Sequence, residues 1–266
     1  MAVGTDDPCH LAQMVRALGA EVDTAINRMP SDRAKASRPV TARSVGSGRG
    51  SEAGPVALPA APERYCPVVI DINGALLGAE AARRLRQADC CVIEPGLSDD
   101  EFERIEAEYG FRFSADHRAF LAAGLPVSSP PEEGNTWDKP WPDWRSGSPD
   151  DLRSHLAWPA DGVLLAVQHG YWHASWGTRP AESENARAIA ENHMATVPQL
   201  APLYAHRFLP AGGTHGHPVL SVWGTDVIYY GEDLAEYISH EFEEGHEHSE
   251  DWNPQADVAF WQDLVQ

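Results

Sequence analysis

No run of about eighteen apolar residues occurs in this 266-residue chain, which excludes a helix able to cross a bilayer. The amino terminus, MAVGTDDPCH, lacks the basic start and the apolar stretch of a secretory signal, so a soluble, cytoplasmic protein is expected. Cysteine is scarce. Cys9, Cys66, Cys90 and Cys91 show no CxxC spacing, and the adjacent Cys90 and Cys91 would be strained as a disulfide; reduced thiols are expected. Missing as well are G-x-G-x-x-G and GK[ST] around the glycine-containing GALLGAEA, H-E-x-x-H beside any histidine pair, and G-x-S-x-G around any serine. Phosphate cradles, zincin chemistry and the nucleophile elbow thus have no motif to rest on.

Charge is unevenly placed. Residues 1–65 hold 8 Lys+Arg and 7 Asp+Glu, so residues 66–266 hold the other 12 and 33, a net of 12 − 33 = −21. Such a field repels phosphate backbones and anionic lipid and draws in basic molecules, so no nucleic acid and no membrane are expected as partners.

Three zones follow one another. After Asp7 and Pro8, Leu11, Met14, Val15, Leu18, Val22, Ile26 and Met29 recur at three- and four-residue spacing, predicting an amphipathic helix over 1–29. Residues 30–64 lack aromatics, abound in Ser, Pro, Gly, Ala and Arg, and read as a flexible linker. Folded sequence resumes at Tyr65 and runs to residue 266. PVVIDING predicts a short strand and an Asn73-Gly74 turn, 75–88 a helix, and CCVIEP another strand.

From Gly96 the local signals agree. Ser98 and Glu101 form a capping box, Phe102, Ile105 and Tyr109 a buried stripe, and Gly110 a stop. Ser114 caps a second helix carrying Phe120 and Leu121. Ser148, Pro149 and Asp151 begin a third with Leu152 and Leu156. VLLAV (163–167) reads as a buried strand, and 184–194 as a helix with Ile189 and Met194 as its apolar members. PVLSVW and DVIYY flank Gly224-Thr225, a two-residue loop that fits a type II′ hairpin; Leu234, Tyr237, Ile238 and Phe242 then mark a closing helix. Helices, then strands, then a helix, without βαβ alternation, give the α+β class.

The segment GLSDDEFERIEAEYGFRFSADHRAFLAAGLP (96–126) resembles the N-terminal helical signature of the SUKH superfamily, which includes the fungal Smi/Knr cell-wall-assembly regulators and many bacterial immunity proteins. WPDWR, LAWPADGVLLAV, YWHASWGTRP and HPVLSVWGTDVIYYGEDLAEYI are similar to a bacterial branch of that superfamily, so the resemblance spans about 96–242. It implies a mixed or antiparallel sheet with helices packed around it. It also implies a non-catalytic protein-binding domain, with neutralisation of a toxin as the role of its bacterial relatives and scaffolding as that of the fungal ones. It supplies no catalytic motif, and fold-level likeness names no ligand.

The side chains offer candidates of their own. Trp137, Trp141, Trp144, Trp158, Trp172 and Trp176 lie close together in sequence with Tyr171, His169 and His173. Such density serves either a core or a binding face. Trp137, Trp141 and Trp144 sit in a proline-rich loop where exposure is expected, and with Tyr171, Trp172, His173 and Trp176 they form the expected partner-binding set. Among the histidines, His169 and His173, the His215/His217 pair, and His240, His246 and His248 amid Glu241, Glu243, Glu244, Glu247 and Glu250 invite a metal reading. The last group is suited to weak zinc or nickel binding, but the expectation is incidental histidines, no metal site and no cofactor. The alternative to a binder is a small-molecule- or metal-binding enzyme using the Trp/His-rich region. One form of it is a hydrolase built from His206, Asp226 and Ser175 or Ser221, for which no nucleophile setting is present. The expected partner is a protein, a basic toxin being the case the acidity fits.

Overall fold

Alternate residues of one antiparallel sheet feed two separate apolar cores. The computed structural model describes residues 71–128, 141–243, 245–246, 248, 251–254 and 258–266. The chain divides into units Met1–Arg64 and Tyr65–Gln266, and every described residue belongs to the second. The expected amphipathic helix (1–29), the linker (30–64), the strand before Asp71 and Trp137 lie outside the described residues.

In chain order the elements are α1 (Ile72–Ala88), β1 (Val92–Glu94), α2 (Asp99–Tyr109), α3 (Ala115–Ala123), β2 (Leu125–Val127), α4 (Pro149–Gln168), a 3-10 turn (Ala174–Trp176), α5 (Ser183–Met194), β3 (Leu200–Tyr204), β4 (Arg207–Pro210), β5 (Val219–Trp223), β6 (Asp226–Gly231), α6 (Leu234–Phe242) and a last 3-10 turn (Trp261–Leu264). The class is α+β. β1 and β2 pair antiparallel, and β3 to β6 form a four-stranded antiparallel meander in sequence order. Among the described residues no helix is long and apolar enough to cross a membrane.

Local chemistry fixes several helix ends. Ser98 Oγ accepts from the Glu101 N–H at 3.3 Å and Glu101 Oε2 accepts from the Ser98 N–H at 2.8 Å, the reciprocal capping box. Gly110 closes α2 at φ 72°, in the left-handed region. Ser148 Oγ accepts from the Asp151 N–H and Pro149 opens α4. Ser114 holds the N-cap position of α3 without a side-chain capping bond.

Two expectations are corrected here. Asn73 and Gly74 do not turn the chain. Asp71 caps α1 by accepting from the Gly74 N–H at 3.1 Å, which draws both residues into the first helical turn. VLLAV is the end of α4 and not a strand: Leu152, Leu156, Pro159, Val163 and Val167 recur at helical spacing, and that longer stripe governs the short apolar run. Ile189 faces outward at 39% exposure, while Ala186, Ala190 and Met194 form the buried face of α5.

The sheet is the middle layer. Ala201, Leu203, Leu209 and Val219 join a core with α1, α2, α3 and α6, whereas Leu200, Phe208, Leu220, Val222 and Val227 join another with α4, α5 and the carboxy-terminal segment. Two-sided burial explains why the strands read as nearly unbroken apolar runs. α1 crosses α3 closely at Gly78, where a Cβ would lie 2.1 Å from the Asp116 carbonyl oxygen. Gly224 takes φ 64° in the β5–β6 loop, and Thr225 has no positive φ, the pattern of a type II′ turn. At the far end, Val265 bridges Val227 in parallel and the Gln266 N–H donates to the Val227 carbonyl at 3.2 Å.

Trp141 and Trp144 belong to the first core, which corrects their expected exposure. Trp144 is 2% exposed and meets Phe113 edge-on at 5.2 Å, with Phe111 at 5.8 Å and Tyr109 at 6.2 Å. Trp141 stacks on Phe242 at 5.5 Å and leans on Tyr204 at 4.7 Å. These two rings complete the space between α2, α3 and the sheet. Trp144→Ala is expected to lower the unfolding free energy by about 3–5 kcal/mol, as read from the midpoint of urea unfolding followed by far-UV circular dichroism.

Histidines withdrawn from solvent, His117 fully and His206 in part, make stability depend on pH. Burial pushes His117 down to about 4 and His206 down to about 4, below the ordinary imidazole value of 6.5. Between those values the unfolded chain binds protons that the folded chain refuses, so stability rises with pH across the window and falls as pH drops from 6.5 towards 4. His117→Leu is expected to flatten the slope of unfolding free energy against pH by up to about 1.4 kcal/mol per pH unit inside that window, whatever its effect on absolute stability. Urea titrations between pH 4.5 and 7 measure the slope.

Candidate functional site

Of the sequence-predicted binding residues, the structure gathers Tyr171, Trp172, His173 and Trp176 and separates Trp141 and Trp144 from them. The four follow directly on α4. Gly170, at φ 104°, turns the chain, and the 3-10 turn then folds Trp176 inward. Trp176 is buried, stacked against His193 of α5 at 5.4 Å and 9° and against Phe260 at 5.7 Å and 2°. Trp172 meets Trp176 edge-on at 5.2 Å and donates its indole N–H to the Gly177 carbonyl at 2.8 Å, which fixes the ring while leaving it half-buried.

Two adjoining shallow depressions share this floor. One, of about 310 Å³, is lined by His173, Ser175, Trp176, His193, Phe260 and Asp263 among others. The other, of about 610 Å³, is lined by Tyr171, Trp172, His173, Thr225, Asp263 and Leu264 among others. Asp263 stands at the rim of both, half exposed, with Oδ2 3.5 Å from His173 Nε2. Burial, and then the Asp263 carboxylate, push the Tyr171 phenol above its ordinary value, so it stays a neutral hydroxyl at neutral pH. Sequence reasoning missed His193, Phe260 and Asp263. They reach the cleft from α5 and from the carboxy-terminal segment, and no spacing near 171–176 points to them. The only available sign was the aromatic pair Phe260-Trp261 in an otherwise acidic, polar tail.

Ser175, His173 and Asp263 lie in the contact order of a hydrolytic triad, so their chemistry can be judged. His173 Nδ1 lies 2.7 Å from Ser175 Oγ and 3.3 Å from the Ser175 N–H. That nitrogen is the N-cap acceptor of the 3-10 turn. Two donors, the Ser175 hydroxyl and the Ser175 N–H, share its lone pair. Of the hydrolase residues His206, Asp226 and Ser175 or Ser221, Ser221 Oγ accepts from Arg207 Nη1 at 3.0 Å and His206 packs edge-on against Trp223 at 5.8 Å. What the cleft can do with its flat rings and rim carboxylate is hold a cation.

The remaining candidates also find partners. His215 Nδ1 lies 2.5 Å from Asp71 Oδ2 and His217 Nε2 2.6 Å from Thr214 Oγ1, so the two do not converge. Cys90 and Cys91 are free thiols, and burial pushes Cys91 up to about 12, leaving no reactive thiolate. His240, His246 and His248 do converge, around Glu236, a carboxylate that sequence reasoning passed over; Glu244, Glu247 and Glu250 lie outside the described residues. Its signal was the four-residue spacing of Glu236 and His240 on a helix. Set against known proteins, the chain matches no family model, no curated protein and no solved structure.

Proposed function

We propose that this chain is a non-catalytic protein-binding domain of the SUKH type that captures a basic partner, as an immunity protein captures a toxin. The observation that carries the reading is the convergence of Tyr171, Trp172, His173 and Trp176 on one face with Asp263 at its rim. Half-buried aromatic rings beside an exposed carboxylate suit the ammonium or guanidinium of a protruding lysine or arginine, through ring faces and an ion pair together. The depressions lie open to solvent, which suits a side chain presented by a protein, since that needs only one end covered.

Electrostatics supports the same partner. Arginines of the folded part are largely spent on internal pairs: Arg118 lies 2.8 Å from Asp99, Arg145 2.6 Å from Glu101 and Arg187 2.9 Å from Glu191. The net charge of −21 carried by 66–266 therefore sets the outward field, which speeds encounter with a basic protein and disfavours nucleic acid and anionic membrane. The resemblance over 96–242 points to the same class of activity in a cytoplasmic setting.

The test uses the full chain, immobilised in a lysate of its source cell. A retained protein is identified by mass spectrometry, purified and returned for kinetic binding measurements. The expected partner is basic, its association rate falls steeply between low and high salt, and Trp172→Ala or Asp263→Asn each weaken binding about tenfold. Binding that ignores salt and both substitutions would overturn the reading, as would turnover of an ester or amide that disappears in Ser175→Ala.

A further inference from the structure

A second convergence lies away from the aromatic cleft, on α6 and the chain just beyond it. Glu236 and His240 stand one turn apart on that helix. After Phe242 the chain bends back and sets His246 and His248 against them. Glu236 Oε1 lies 3.1 Å from His246 Nε2 and 2.9 Å from His248 Nδ1. The rings of His240 and His248 stack at 4.4 Å. One donor atom from each of Glu236, His240 and His248 lies within 4.8 Å of the other two.

We propose that Glu236, His240 and His248, with His246 as a fourth donor, bind a divalent transition metal of the zinc type and thereby fasten the residues after α6 to that helix.

The chemistry of the donors favours this ion. Imidazole nitrogens with one carboxylate oxygen suit zinc or nickel, while calcium and magnesium require oxygen shells. In a tetrahedral zinc site, ligand atoms 2.0–2.1 Å from the ion stand about 3.3 Å apart, so the described group must close by about 1.5 Å. His248 is the exposed member of the group, and exposed side chains change rotamer readily.

The surroundings are arranged as an outer shell would be. Glu236 Oε2 is held by the Glu232 N–H at 2.9 Å, which leaves Oε1 to face the imidazoles. His240 packs edge-on against Tyr230 at 4.8 Å, and its Nδ1 is shielded from solvent with no hydrogen-bond partner among the described residues. A buried ring nitrogen in that condition is costly unless something claims it or its ring turns to offer it. His248 also lies 4.4 Å from the Trp252 ring, so a bound metal would be reported by indole fluorescence.

The experiment titrates tag-free, chelator-treated full chain with zinc sulfate, read by calorimetry and by tryptophan fluorescence. One equivalent is expected to bind in the low micromolar range or tighter, undisturbed by excess magnesium or calcium, and to raise the melting temperature. His248→Ala, at an exposed position, should weaken uptake at least about tenfold with the circular dichroism spectrum unchanged, and Glu236→Gln should act in the same direction. His215→Ala, remote from the group, should leave uptake as it was. Absence of saturable uptake would overturn the proposal, and so would uptake that survives His248→Ala. Because none of these residues lines the aromatic cleft, the outcome is independent of partner binding there.

Discussion

The alternation of side chains along β3, β4 and β5 is the constraint on which the rest of the architecture depends. Successive residues of a strand point to opposite faces, so Phe208 and Leu209, neighbours in sequence, enter different cores. A one-residue slip would exchange the two sets throughout the meander. The helices on each side are thereby committed to their places. α1, α2, α3 and α6 cover one face together with the start of α4, and the rest of α4 with α5 covers the other. The aromatic cleft exists because the second core is finished by the carboxy-terminal segment, whose Phe260 completes the stack on Trp176 and whose Asp263 is left at the rim.

The features legible in the sequence are those whose physics is local. The Ser98–Glu101 capping box, the Ser148-Pro149 helix start and the Gly224-Thr225 loop each involve a few contiguous residues, and each was readable for that reason. The α+β class followed from the order of such pieces. Trp141 and Trp144 were misplaced because a proline-rich, polar stretch resembles a surface loop, while their burial depends on Phe111, Phe113, Tyr204 and Phe242, which sequence distance conceals. VLLAV was misread because five apolar residues fit a strand as well as a helix until the stripe beginning at Leu152 is counted.

The candidate site was half legible. Tyr171, Trp172, His173 and Trp176 are close enough in the chain to be singled out together, and they remain together in the fold. Their partners come from 193 and 260–263, brought in by packing alone. The same division holds beyond α6, where His240, His246 and His248 were visible as a group, but Glu236, which organises them, was hidden among many other glutamates. In both places the ring-bearing residues stand out in the sequence, and the carboxylate that meets them in the fold does not.

The parallel contact of Val265 with Val227, reinforced by the Gln266 N–H, acts as the stub of an extra strand laid along β6. An outermost strand normally offers a row of unsatisfied backbone groups to any passing extended peptide. Here Val265 and Gln266 occupy part of that row, so fewer of the outward backbone groups of β6 are open to β-sheet extension.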